Sequence, residues 1–142
     1  MNSPRPVQLT APAERSSVRL ARLVASGVGA EAGLSIDDTE DLRIAVSELV
    51  ALLVDGVEDP RRSILVTYLS APGEVTVEGK GEAAPAASDR DTTVGPGPSE
   101  SDTPPAVDDL ALEILRVVVD VHAFEADEAG RRFRVVKRAH PA

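Results

Sequence analysis

The chain has 142 residues, of which 42% are hydrophobic, and these values fit one globular domain with a hydrophobic core. Its formal net charge of −9 and its three aromatic residues, one Tyr and two Phe, argue against broad phosphate-backbone binding and against base-stacking platforms. The absence of cysteine excludes disulfides, zinc–thiolate sites and cysteine nucleophiles. The N-terminal segment has no apolar signal core, and no stretch is apolar enough to span a membrane, so we expect a cytoplasmic protein.

The first two predicted elements are an edge strand and an amphipathic helix. Residues 7–10 alternate between apolar and polar side chains and are bounded by prolines, which is typical of a short edge strand. In the next segment, apolar residues recur at helical spacing, and Gly29 and Gly33 are predicted to break the helix. The apolar residues of this helix are Val18, Leu20, Leu23, Val24 and Val28. Its basic stripe, predicted from spacings of four and three, consists of Arg15, Arg19 and Arg22.

The second predicted helix is apolar nearly all round, yet it carries a glutamate in its middle, in AVSELVALLVDG (45–56). Asp37, followed three residues later by Glu40, has the spacing of a capping box and predicts the start of this helix. On a helical wheel, Glu48 falls at the margin of the core face, beside Leu52. The predicted core stripe consists of Leu42, Ala45, Val46, Leu49 and Leu53.

The second half of the chain predicts two hairpins and a third helix. Residues 63–69 and 74–78 are rich in β-branched residues and flank a Pro-Gly turn. Residues 80–107 are acidic and rich in Gly, Pro and Ser, which predicts a disordered, lid-like insert. A third helix and a hairpin over residues 122–138 follow. Separate runs of strands and helices predict a single α+β domain over residues 1–142, with helices on one face of a mostly antiparallel sheet.

One stretch of the second helix, DDTEDLRIAVSELVALLVDG (37–56), resembles a known family. It is similar to the second helix of the RsbW-type bacterial anti-sigma factors, which are also serine-protein kinases of the GHKL (Bergerat-fold) ATPases. The resemblance implies a histidine-kinase-like ATPase domain with a two-layer Bergerat fold. It also implies a sigma factor and an anti-anti-sigma antagonist as partners, and a homodimer. Neither direct nucleic-acid binding nor membrane binding is expected.

Four residues match the nucleotide motifs of that family: Glu48, Leu52, Gly79 and Gly81. The resemblance implies that Glu48 is the general base of phosphoryl transfer. At the position of Leu52 the family has an asparagine that coordinates magnesium, and leucine has no oxygen ligand to offer. The two glycines keep the Gly-x-Gly spacing, but Val77 occupies the position of the aspartate that contacts adenine. Glu78 is one residue away, which in a strand places it on the other face.

The phosphate-binding turn before the last helix departs furthest from the family. The aligned residues 109–112 are Asp-Leu-Ala-Leu, so both glycines of this turn are missing. Asp108 and Asp109 occupy the electropositive helix end and would repel a triphosphate. We therefore expect no cofactor, with ATP and magnesium relevant only if residual activity persists, and we interpret Glu48 as a remnant of the catalytic position.

Several of these residues have a structural interpretation beside the functional one. Glu48 could be a solvated or paired carboxylate at the core margin. Gly79 and Gly81 could form a flexible exit from the strand. The basic stripe could dock an acidic partner or be a solvated helix face. The two histidines, His122 and His140, are far apart in sequence, and we expect no metal site.

Three functions from different classes remain open. The leading hypothesis is an anti-sigma-like protein that sequesters an alternative sigma factor without catalysis. The second is an active ATP-dependent serine-protein kinase that phosphorylates an anti-anti-sigma antagonist. The third is a non-enzymatic dimerisation or scaffold module, because a fold alone does not determine a function.

Overall fold

The computed structural model of the chain describes residues 5–55, 57, 59, 61–81, 109–127 and 130–140. The elements are β1 (Arg5–Pro12), α1 (Ser16–Glu31), α2 (Ile36–Asp55), β2 (Ser63–Ala71), β3 (Glu74–Gly81), α3 (Asp109–Val118), β4 (Val121–Asp127) and β5 (Gly130–Arg138). The predicted order of strands and helices is confirmed. The predicted insert lies outside the described residues, apart from Lys80 and Gly81, which complete β3.

The five strands form one antiparallel sheet in the order β1-β2-β3-β5-β4. Tyr68 of β2 faces Val77 of β3, which in turn faces Val135 of β5, so all three side chains lie on one face. All three are fully buried, and the helices pack on this face. The opposite face carries charged cross-strand pairs, such as Arg134 with Glu78 at 3.3 Å. The predicted two-layer α+β architecture is confirmed.

The core centres on α2, and the predicted core stripe of that helix is fully buried. Beneath α1, the hydroxyl of Tyr68 donates a hydrogen bond of 2.8 Å to the carbonyl of Ala21. Burial raises the pKa of the Tyr68 phenol, so it remains a protonated donor. No helix within the described ranges combines the length and the apolar content that crossing a membrane requires.

The end of α1 is set by Gly33, whereas the predicted break at Gly29 is wrong. Gly29 lies inside α1 and is buried, because Thr39 of α2 packs closely against it. At the end of the helix, the N–H of Leu34 donates to the carbonyl of Gly29 (3.0 Å) and the N–H of Gly33 to that of Ala30 (3.1 Å). This is a Schellman motif, and the φ of +85° at Gly33 is a conformation that favours glycine.

The start of α2 also differs from the prediction. The helix begins at Ile36, so its N-cap is Ser35 and not Asp37. The Ser35 hydroxyl oxygen accepts a hydrogen bond of 3.0 Å from the backbone N–H of Asp38. Glu40, the predicted partner in the capping box, instead accepts a hydrogen bond of 2.8 Å from the Arg43 guanidinium. The carboxylate of Asp38 accepts a hydrogen bond of 2.9 Å from the backbone N–H of His140, after β5.

We predict different effects of alanine at the two glycines inside α1. A Cβ at Gly27 would meet nothing within 4 Å, so Gly27→Ala should raise the free energy of unfolding by about 0.5–1 kcal/mol through helix propensity. A Cβ at Gly29 would lie 3.0 Å from Oγ1 and 3.1 Å from Cγ2 of Thr39, so Gly29→Ala should lose this gain or destabilise the protein. Urea unfolding followed by circular dichroism measures both variants.

The matched control for this prediction is Thr39→Ala, alone and combined with Gly29→Ala. If contact with Thr39 is what opposes the extra methyl group, the double variant should recover the stabilisation that Gly29→Ala lacks. Equal stabilisation by Gly27→Ala and Gly29→Ala would contradict the close approach of α1 and α2.

Candidate functional site

The residues that match the nucleotide motifs lie where the second half of α2 crosses the end of β3. Glu48 and Leu52 are half-buried on α2, at the predicted margin of its core face. Leu52 also packs against the core. Within the described part of the chain, Glu48 has no hydrogen-bond or ion-pair partner. It is therefore a carboxylate at the core margin that is not paired with an arginine of the described residues.

Gly79 lies inside β3 and is buried, so its interpretation as a flexible exit from the strand is wrong. It is paired in register with Phe133 of β5. A Cβ at Gly79 would lie only 2.7 Å from Cζ of Phe133 and 3.0 Å from Cδ1 of Leu53. The aromatic ring therefore occupies the space above Gly79, and this packing alone requires a glycine. The strand continues to Gly81, three residues beyond its predicted end.

Arg131 is a residue of this region that the sequence did not reveal. Its Nη1 donates a hydrogen bond of 2.7 Å to the backbone carbonyl of Leu52, across 79 positions in the chain. This carbonyl lies in the last turn of α2, where helix carbonyls lack intrahelical partners and the helix dipole favours positive charge. Arg131 thus connects β5 to α2 beside the position at which the resembling family holds magnesium.

The adenine-contacting position is also apolar in the structure. Val77 is fully buried on the helix-covered face of the sheet. Glu78 is exposed on the opposite face, as predicted, and its carboxylate pairs with Arg134. At the phosphate-binding turn, α3 begins at Asp109, and Asp108 lies outside the described residues. Val77 and Leu52 thus place apolar side chains at the two positions where the resemblance implies an adenine-contacting carboxylate and a magnesium ligand.

The basic stripe lies on an exposed face of α1 together with two leucines. Arg15 immediately precedes the helix, and its guanidinium lies 3.7 Å from the Asp55 carboxylate. Arg19 is exposed and Arg22 is half-buried. Neither of them forms an ion pair with another described residue. The surface that we call the α1 face consists of Arg15, Arg19, Leu20, Arg22 and Leu23.

The exposure of Leu20 and Leu23 was not foreseen from the sequence. Leu20 is 47% exposed and Leu23 is 67% exposed, although both belong to the apolar pattern of the predicted helix. The buried positions of α1 are mostly small, namely Ser17, Ala21, Ala25, Val28 and Gly29. Because small residues bring α1 close to the core, the larger leucines remain on the outside. This run of small residues was the available sequence signal.

The two histidines lie in different surroundings. His122 is half-buried in β4, whereas His140 follows β5 and contacts Asp38 and Asp120. In the parts of the chain that the structure describes, no group of three or more histidine, aspartate or glutamate side chains could hold a metal ion.

Comparisons with known proteins match one family model, and similar proteins include the following two. The family model described as Histidine kinase-like ATPase domain matches residues 11–137. A stretch of 59 residues is 36% identical to Serine-protein kinase RsbW of Halalkalibacterium halodurans, covering 42% of this chain and 36% of that protein. The crystal structure of the RsbU and RsbW domains of Rv1364c from Mycobacterium tuberculosis matches 97% of this chain with a TM-score of 0.67 and 18% identity. The chain spans 34% of that solved chain, so it covers about a third of either protein.

We predict that the two glycines of the Gly-x-Gly spacing respond differently to alanine. Gly79→Ala should lower the free energy of unfolding by about 1–3 kcal/mol, because the added methyl group must displace the buried ring of Phe133. Gly81→Ala should change it by no more than about 0.5 kcal/mol, because its Cβ would meet Val57 at an ordinary 3.5 Å. Urea unfolding at constant pH measures both values.

The double variant Gly79→Ala/Phe133→Leu tests the cause of this difference. A smaller side chain at position 133 leaves room for the methyl group, so the cost of Gly79→Ala should be smaller in the Phe133→Leu background than in the wild type. Similar effects of alanine at Gly79 and Gly81 would contradict the packing role of Phe133.

Proposed function

Because the chain belongs to the histidine kinase-like ATPase domain family, we propose that it is an RsbW-like regulatory protein that binds an alternative sigma factor. Binding takes place on the α1 face and does not require ATP, because sequestration needs a tight interface and no chemical step. The similarity to serine-protein kinase RsbW, together with the fold shared with the RsbW domain of Rv1364c, supports this assignment. An anti-anti-sigma protein releases the sigma factor by competing for the same surface.

The observation that carries the proposal is the composition of the α1 face. Single exposed apolar residues are common on protein surfaces. Leu20 and Leu23, however, lie three residues apart on one side of the helix, with Arg19 and Arg22 next to them. An apolar centre with charged residues at its rim is the usual anatomy of a protein interface. Local positive charge on a chain of net charge −9 favours an acidic segment of the partner.

The described residues do not fit ATP and magnesium. Leu52 offers no oxygen ligand, and buried Val77 offers no carboxylate to an adenine amino group. The ring of Phe133 fills the space above Gly79, the first glycine of the Gly-x-Gly spacing. These features support the loss of nucleotide binding and of kinase activity, and no step of the proposed function passes through ATP.

One observation favours a second candidate function, an ATP-dependent serine-protein kinase that acts on an anti-anti-sigma antagonist. Glu48 occupies the position of the general base and has no partner within the described residues that would neutralise it. A free carboxylate can accept the proton of a substrate hydroxyl. This candidate requires a bound triphosphate, so a nucleotide-binding experiment separates it from the leading proposal.

We expect no binding of Mg-ATP to the purified chain. Calorimetric titration to millimolar nucleotide should give only the heat of dilution, because the magnesium and adenine contacts are missing. Serine-protein kinase RsbW under the same conditions is the positive control. Saturable binding in the micromolar range would overturn the proposed loss of nucleotide binding and favour the kinase function.

The partner is identified by affinity capture of the tagged full chain from lysate of its source cells, followed by mass spectrometry. We expect a sigma factor, alone or together with an antagonist protein. Recovery of a different stable partner without any sigma factor would instead support a scaffold function. Recovery of only a second copy of the chain would support a dimerisation module.

Charge reversal on the α1 face should weaken binding of the captured sigma factor. We expect the double variant Arg19→Glu/Arg22→Glu to raise its Kd at least roughly tenfold, with a smaller effect at high salt. Leu23→Ser should raise the Kd by a similar factor at all salt concentrations, because it removes an apolar anchor. Biolayer interferometry at two ionic strengths measures both effects.

The control for charge reversal is Arg116→Glu, which changes an exposed arginine on α3. This variant has the same charge change per residue at a distant helix and should bind like the wild type. Unchanged binding by the α1 variants, or an equal loss in Arg116→Glu, would place the interface elsewhere.

A further inference from the structure

A cluster of charged side chains lies where the residues after β5 meet α2 and the link between α3 and β4. His140 lies between two carboxylates, with Nδ1 3.3 Å from Oδ1 of Asp38 and Nε2 3.1 Å from Oδ1 of Asp120. The backbone N–H of His140 donates to Oδ2 of Asp38 at 2.9 Å. The backbone N–H of Arg138 donates to Oδ2 of Asp120 at 2.8 Å. Both carboxylates thus accept hydrogen bonds from the main chain and from the same imidazole.

Lys137 lies beneath this imidazole and is only 3% exposed. Its Nζ donates to the carbonyl of Val118 at the end of α3 (2.8 Å) and to Oδ2 of Asp41 (3.3 Å), and lies 3.6 Å from Oδ1 of Asp38. Asp38 is therefore shared between Lys137 and His140. A buried ammonium ion requires such partners, and the negative end of α3 is a favourable site for it. The His140 cluster consists of Asp38, Asp41, Asp120, Lys137 and His140.

Only one protonation state of His140 satisfies both of its ring contacts. A neutral imidazole has one N–H donor and one lone pair, so one nitrogen would direct its lone pair at an ionised oxygen. The imidazolium donates from both nitrogens. Burial, the largest single influence, raises the pKa of Asp38 and Asp120. Hydrogen bonds from the backbone and from His140, with the charge of Lys137, outweigh it and leave both pKa values lowered.

We propose that His140 is a proton-dependent connection that holds the end of β5 to the start of α2 and to the α3–β4 link. The protonated ring bridges Asp38 and Asp120. After losing one proton, the ring keeps a single donor and can hold only one of the two carboxylates. Lys137 retains its contacts with Asp38 and Asp41, so the sheet beneath the cluster stays intact and the change is confined to this end of the molecule.

Backbone hydrogen bonds extend this connection to α1. The N–H of Ala139, next to His140, donates to the carbonyl of Gly73 in the β2–β3 turn (2.8 Å). The N–H of Gly73 in turn donates to the carbonyl of Ala32 at the end of α1 (2.7 Å). Two backbone hydrogen bonds in series thus join the residue next to His140 to the end of α1. The inference does not depend on which partner, if any, binds α1.

The test is a pH series on the full-length chain from pH 5 to 8, read by NMR. The ¹⁵N shifts of the two ring nitrogens of His140 report protonation directly. Amide hydrogen exchange, corrected for its intrinsic pH dependence, reports protection of the backbone N–H groups of Arg138 and His140. We expect a doubly protonated ring at the acidic end, and a fall in protection of roughly tenfold or more whose midpoint coincides with the ring titration. The amide of Val135 in the core should show no such step.

Two single variants show which histidine causes the pH-dependent step in protection, because the chain has only two histidines. His140→Gln has no titrating ring and should lose the pH step while keeping the protection of Val135. His122→Asn removes the other histidine and should keep the step. A step that persists in His140→Gln would overturn the proposal. A neutral ring at pH 5 would also overturn it, as would amide protection in the wild type that does not change while the ring titrates.

Discussion

The burial of α2 between α1, α3 and the sheet is the constraint on which the rest of the structure depends. Leu42, Leu49 and Leu53 are fully buried along this helix. Removing each such side chain from water contributes roughly 1.5–3 kcal/mol, so a rotation of α2 that exposed them would be costly. Because the buried face of α2 is fixed, the residues beside that face are fixed as well. Glu48 and Leu52 therefore lie at the edge of the core. The chemistry available at those positions follows from the packing of their neighbours.

The same packing bears on the proposed loss of nucleotide binding. Proteins that bind a ligand gain stability from it, in proportion to the logarithm of its concentration over its Kd. A chain without that gain must complete its core with its own side chains. Phe133 does this above Gly79, and Arg131 supplies a cation to the last turn of α2 through the carbonyl of Leu52. The core is continuous around Gly79, which is consistent with a fold that does not require bound ATP.

The sequence predicted what depends on local pattern and missed what depends on distant contacts. Periodicity placed the strands and helices in the correct order, because the burial of one face imposes a period on nearby residues. Gly29 was misinterpreted because Thr39, on another helix, determines whether a glycine is needed. The packing role of Gly79 and the contact of Arg131 were missed for the same reason, since their partners become neighbours only after folding. Asp37 was chosen as the cap because its spacing to Glu40 matched, but the observed cap is Ser35, which accepts from the backbone N–H of Asp38.

Both ends of α1 are held by contacts with other parts of the chain, and this matters for its proposed role as a binding surface. At the start, Arg15 and Asp55 form an exposed ion pair, and such pairs contribute at most about 1 kcal/mol. At the end, Gly33 terminates the helix, and the carbonyl of Ala32 accepts a hydrogen bond from Gly73. An interface on a helix that is already ordered avoids part of the entropy cost of binding. The start of α1 is also held by the hydroxyl of Ser17, which donates a hydrogen bond of 2.6 Å to the carbonyl of Pro12. The end of α1 is the end that hydrogen bonds connect to the residue next to His140.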